Sequence, residues 1–155
     1  MRRLILGVAA ACAIVALTAS GAPAKNGNGV MCVLHARLTA TSETTGSTST
    51  AKGHTQIKVR ANGTIEFKTH ILNQDGETFV AGHIHQAPVG VAGPIVVPLF
   101  VSPTPATNAR HIRQSGVATP NAGTTGAALC TNPSAYYVNY HTTAFTGGAI
   151  RGQLH

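Results

Sequence analysis

The chain has 155 residues, of which 10% are charged: eleven Lys and Arg, four Asp and Glu, and eight His, for a formal net charge of +7 at pH 7. A typical domain carries about 25% charged residues. The positives are scattered rather than clustered (Lys58 and Arg60 alternate along one stretch, and Arg110 and Arg113 flank His111), and aromatics do not interleave with them. This argues against a nucleic-acid surface and leaves the basicity as solubility with mild attraction to acidic surfaces.

In chain order, the first segment reads as a targeting signal. Arg2 and Arg3 precede the apolar run LILGVAAACAIVAL, and Ala22-Pro23-Ala24 supplies small residues for cleavage. The run is short for a membrane span and no second one follows, so the expectation is export rather than anchoring, with no membrane span after cleavage. Cys12 lies inside the run without a convincing lipobox. Cleavage after Ala24 leaves residues 25–155 as one domain, secreted, periplasmic or at the cell surface, large enough to bury roughly two-thirds of its unfolded surface. It retains two cysteines, Cys32 and Cys130. An even pair in an exported chain predicts a disulfide, with buried free thiols as the alternative.

The mature chain has no sustained helical period. VMCVLHARLTA (30–40) reads as a first strand, and TSETTGSTSTAKG as a polar low-complexity loop. In HTQIKVR, Ile57 and Val59 alternate with Gln56, Lys58 and Arg60, the pattern of a half-buried strand. Asn62-Gly63 is a hairpin signal, and TIEFKTHIL then places Ile65, Phe67 and Thr69 on one face. Asp75-Gly76 turns the chain into ETFVAGHIHQA, which completes a three-stranded meander. PIVVPLF is a further strand whose Pro98 suits an edge or a bulge. Residues 101–135 are the least legible, with a short helix or strand expected near NARHIRQSG. YYVNYHTTAFTGGAIRGQL closes the chain as a hairpin around Gly147-Gly148. Seven to eight strands without a covering helix predict an all-β, antiparallel two-sheet sandwich.

Most of the eight histidines stand singly: His35, His54, His70 and His111 in strand or loop text, and His155 at the C-terminus. His83 and His85 differ, because residues i and i+2 of a strand point the same way. His141 offers a third imidazole from a strand expected nearby, on the face it shares with Asn139. Three neutral imidazoles with an open fourth position suit copper or zinc.

GHIHQAPVGVAGPIVVPLF followed by YYVNYHTTAFTGGAIRGQL resembles the two signatures of the CHRD domain, a family named after chordin and found in many exported bacterial proteins. The resemblance spans roughly residues 30–154 and implies an immunoglobulin-like or superoxide-dismutase-like all-β sandwich. Two positions depart from it: Ala149 stands where the family often has an acid, removing a local partner for Arg151, and Thr146 stands where proline is common.

The functional expectation is a non-enzymatic scaffold or binding module for an extracytoplasmic protein or surface ligand. There, the histidines, Asn139 and Arg151 would brace the fold. The alternative is a copper- or zinc-binding protein using His83, His85 and His141. If so, their ring nitrogens should lie within about 4 Å of one another, and Arg151 should sit outside the trio, bonded to backbone carbonyls or the C-terminal carboxylate. A dismutase is disfavoured because Asp75 is the sole aspartate and falls in a turn. A hydrolase is disfavoured by the lack of a nucleophile elbow or paired carboxylates.

Overall fold

Alternation of apolar and polar residues decides this architecture. The computed structural model describes residues 29–101 and 107–155; the signal-peptide reading of residues 1–24, Cys12 included, lies outside the described residues. Eight strands follow in order: β1 Val30–Thr39, β2 Lys52–Arg60, β3 Ile65–Leu72, β4 Phe79–Gln86, β5 Ile95–Val101, β6 His111–Ala118, β7 Tyr136–Thr142 and β8 Ile150–Gln153. In β2 and β3, Thr55, Ile57 and Val59 and then Ile65, Phe67, Thr69 and Ile71 are buried on one face, as period-two spacing requires. The connecting turn uses Gly63 at φ +86°, a left-handed value that costs glycine little, while Thr64 N–H donates to Asn62 Oδ1 at 3.0 Å.

The all-β antiparallel class and the strand number expected from sequence hold. The strands form one hydrogen-bonded sheet in the order β5-β4-β7-β8-β1-β2-β3-β6. The two faces of the sandwich are therefore the two halves of one curled, nearly closed sheet. The seam between halves is narrow: Thr39 pairs with Arg151, and His35 and His155 exchange backbone bonds of 2.9 and 3.0 Å. At the opposite edges, Asn121 beyond β6 bonds β5 through N–H to Val96 O (2.8 Å) and Nδ2 to Ile95 O (3.0 Å).

Leu38, Ile57, Ile65, Ile71, Phe79, Ile84 and Tyr140 fill the space between the halves. One polar chain crosses it: Tyr140 O–H donates to Thr69 Oγ1 at 2.8 Å, and the Thr69 and Thr55 hydroxyls are 2.8 Å apart. Burial pushes the Tyr140 phenol well above its usual range, so it stays a donor.

β4 is irregular on both sides. Its register slips against β7 between Phe79 and Ala81, and against β5 between Gly82 and His83 and between Ile84 and His85. Against β5 the extra residues are Leu99 and Val96, so Pro98 stands between two irregularities on an edge strand, where proline is tolerated.

The stretch 101–135 holds β6, where a short element was expected, and a helix that the sequence reading did not place: α1, Gly126–Thr131. Thr125 caps it, its Oγ1 accepting from Ala128 N–H at 3.2 Å, and Leu129 is fully buried. α1 delivers Cys130 to Cys32 on β1, and the two form a disulfide across a sequence separation of 98. Closing so long a loop contributes about 4–5 kcal/mol in the chain-entropy model. Intact mass should therefore fall about 2 Da below the reduced value, and reductant should lower the urea midpoint substantially. Free thiols at both positions in protein from an oxidising compartment would overturn the assignment.

Candidate metal centre

Register brings the motifs of the two halves of the sequence together. In an antiparallel sheet, directly opposed residues share a face. His83 opposes Asn139, Asn139 opposes Arg151, Ala81 opposes His141, and His85 opposes Tyr137, which opposes Gln153. All of these therefore point outward, while Ile84, Val138, Tyr140 and Ile150 point into the core. The histidine in β7 and the arginine in β8 belong to one polar patch with the His-x-His of β4.

Among the described residues, His83, His85 and His141 each offer one ring nitrogen, and these atoms all lie within 4.8 Å of one another. His83 Nδ1 and His141 Nε2 are 3.1 Å apart. The set is wider than the expected 4 Å. Nitrogens about 2.0–2.1 Å from a tetrahedral metal stand about 3.3–3.4 Å apart, so the widest pair must close by up to about 1.4 Å to share it. The other ring nitrogens are held. His85 Nδ1 lies 2.9 Å from Gly93 O, and His141 Nδ1 lies 2.9 Å from Thr146 O. A carbonyl only accepts, so both Nδ1 atoms carry the proton and both Nε2 atoms present a lone pair. His83 Nδ1–H then donates to His141 Nε2, and that proton must shift to His83 Nε2 before Nδ1 can ligate a metal. His85 Nε2 is buried without a hydrogen-bond partner. Such carbonyl-oriented imidazoles are the usual second layer of a metal site.

All three rings resist protonation. Burial first, then His141 and His85, lower the pKa of His83 to about 4. Burial lowers those of His85 and His141 as well. The Gly93 bond opposes the shift at His85, with His141 and Arg151 adding to it, and the Thr146 bond opposes it at His141. At neutral pH all three are imidazoles, the form that ligates metals.

Arg151, only 2% exposed, lies outside the trio as expected. Its Nη1 donates to Val91 O at 2.8 Å and its Nη2 to Pro88 O at 3.0 Å, carbonyls of the β4–β5 loop rather than the C-terminal carboxylate. Its guanidinium carbon sits 3.3 Å from the centroid of Tyr137, a cation–π contact. Tyr137 in turn stacks on His85, with centroids 4.8 Å apart and planes at 10°, and accepts from Gly93 N–H at 3.1 Å. Gln153 Nε2 adds a bond to Ala87 O at 2.8 Å. The loop 87–94 is thus strapped across the sheet face, and its Gly93 carbonyl sets the His85 tautomer. Gly93 permits this closeness, since a Cβ there would collide with the Gln86 carbonyl.

Sequence reasoning missed Glu43. Its Oε1 and Asn139 Oδ1 are both buried without a hydrogen-bond partner. The two side chains meet beside Gly148, whose added Cβ would stand 2.7 Å from Glu43 Oε1 and 2.6 Å from Asn139 Nδ2. Burial raises the Glu43 pKa to about 7, against the pull of the Thr44 backbone bond and of Arg151. Position 149 carries no acid, and the carboxyl that acts on Arg151 comes instead from the polar loop after β1. That loop has no periodicity to betray it. The other histidines are not isolated either: His70 is in ring contact with both His54 and His111 on another part of the sheet, and His35 is beside His155.

Arg151→Ala would strip the Pro88 and Val91 carbonyls of their donor and the loop of its strap, and should cost about 1–3 kcal/mol in urea unfolding, with Arg151→Lys recovering only part because it lacks the two-pronged fork. Stability should also depend on pH with two opposed contributions. Unfolded His83 takes up a proton near 6.5 that the folded chain refuses until about 4, so its contribution is full above 6.5 and falls across that window. Glu43 acts oppositely: folded, it protonates near 7 rather than 4.5, so it adds stability as pH drops through 7 toward 4.5. With three imidazoles against one carboxyl, the metal-free protein should lose stability on acidification. Glu43→Gln should steepen that loss between pH 7 and 4.5, as measured by thermal melts.

No match was found among curated proteins or among solved structures. Residues 34–154, from β1 to the end of the closing hairpin, match the CHRD domain. This chain therefore belongs to the CHRD domain family.

Proposed function

We propose that this chain is a non-enzymatic, extracytoplasmic module that binds one copper or zinc ion through His83, His85 and His141. The observation that carries this reading is the convergence of three neutral ring nitrogens within 4.8 Å, one of them a buried and unpartnered Nε2. His83 would bind through Nδ1 and the other two through Nε2, leaving a fourth position open for water or a ligand. Nitrogen-only donors favour copper and zinc over magnesium or calcium. The disulfide and the family both support an oxidising compartment outside the cytoplasm. Asp75 takes no part: its Oδ2 accepts from Thr50 at 2.7 Å in the turn between β3 and β4.

A second reading is favoured by the two Nδ1 bonds. His85 and His141 each tie a turn to the sheet, at Gly93 and Thr146, and could be braces alone in a scaffold.

Calorimetric titration of metal-free protein with Zn²⁺ and Cu²⁺, with elemental analysis of the tag-free protein, separates the two. The metal reading expects one ion per chain, a raised Tm on binding, and a loss of at least about 100-fold in affinity for His83→Ala, whose ring braces no turn. No saturable binding, with His85→Ala and His141→Ala lowering only stability, would leave the scaffold reading standing.

A further inference from the structure

The outer face of β1, β2, β3 and β6 gathers cations and imidazoles, and its acid, Glu66, lies to one end of them. Register lines up Arg37, His54, His70 and Arg113 as one row across four strands, and His35, Gln56, Lys68 and Ser115 as the next. At roughly 4.8 Å per strand the first row spans about 14 Å. His54 and His70 meet edge to face at 5.6 Å, and His70 stacks on His111 at 5.9 Å and 15°. Between the rows lies a concavity of about 550 Å³, lined by His35, His54, Lys68, His70 and Arg113 among others, with no carboxylate in its wall. The acid on this face, Glu66, is engaged at one end by Arg60 (2.7 Å) and Lys58 (3.9 Å). The arrangement is independent of the three-histidine cluster on β4 and β7.

We propose that this concavity is a binding site for a small polyanion carrying two or more phosphate groups. The volume falls in the range of small-molecule sites. Arg113 offers the fork that suits phosphate, Lys68 a point charge, and Ser115 a hydroxyl on the same face. No Phe, Tyr or Trp lines the wall on which bases could stack, so a single-stranded nucleic acid is the poorer fit. The like charges are also unrelieved. The groups facing His70 are His54 on β2, Arg113 and His111 on β6, and Lys68 on its own strand. Burial, Arg113, His54 and His111 all lower its proton affinity. An anion reverses the sign of that field, so binding draws protons onto the imidazoles and strengthens as pH falls.

The test is calorimetric titration of the whole protein with sodium tripolyphosphate at low ionic strength, at pH 7.5 and 5.5. One tripolyphosphate per chain is expected, about 10-fold tighter at pH 5.5. Arg113→Gln with Lys68→Gln should weaken it at least about 10-fold with an unchanged Tm, since both side chains are exposed. His83→Ala should leave it unaltered. Absence of saturable binding at both pH values would overturn the proposal. So would equal affinity in the double variant, tighter binding to an oligonucleotide of matched charge, or binding to phosphatidylglycerol vesicles without binding to free tripolyphosphate.

Discussion

A guanidinium cannot be left dry and unsatisfied, and much of the outer face around β4, β7 and β8 follows from how Arg151 is accommodated. It sits in the middle of a sheet, on a short strand, and is almost completely covered. Water cannot solvate it there, so the chain brings two carbonyls and a ring to it. Bringing Pro88 and Val91 within reach folds the loop after β4 back over the sheet. That fold places the Gly93 carbonyl at His85 and its N–H at Tyr137. The orientation of the imidazole is thus a downstream result of a buried cation two strands away.

Around that cation the patch holds a balance of reluctant charges. Three imidazoles stay neutral because they are buried and crowd one another, and Arg151 adds to the pressure on His85. Glu43 is the countervailing group, itself half-neutralised by burial. A divalent ion entering the trio would sharpen the demand for negative charge nearby, and Glu43 is the carboxyl placed to supply it. The two halves of the sheet meet this patch only through the narrow seam at Thr39 and Arg151, so the polar corner and the joint between halves are the same place.

Much of the fold was legible in the residues because it is written in local alternation. Ile57, Val59, Ile65 and Phe67 announce their burial by spacing alone, and Asn62-Gly63 announces its turn. The trio was legible for a related reason: His83 and His85 share a face by parity, and His141 arrived with a recognisable closing hairpin. What escaped notice depends on long-range register. Nothing near Glu43 indicates that it ends beside Asn139, nearly a hundred residues away. His54, His70 and His111 look solitary in text because their contact is made across three strands. α1 is six residues long, too short to build a period, and its placement is set by a side-chain cap and by Leu129 and Cys130. The expected pair of sheets proved to be one because β8 bonds β1, and that seam rests on too few backbone bonds to leave a pattern in the residues.

The irregularities of β4 bear on what lengths of chain this lineage can tolerate. Residues 43–51 lie outside the strands, where insertions can be absorbed by bending. β4 has no such slack. From Ala81 to Gln86 it runs in unbroken register with β7, and that parity alone aims His83 and His85 outward, while the extra residues opposite it are carried by β5. Removing or adding a single residue between Ala81 and His85 would exchange the two faces, driving imidazoles into the core and Ile84 into solvent. Drift in this protein should therefore change residue identity far more readily in β4 than residue count, and a relative with one residue more between its paired histidines would have to be a different molecule in this corner.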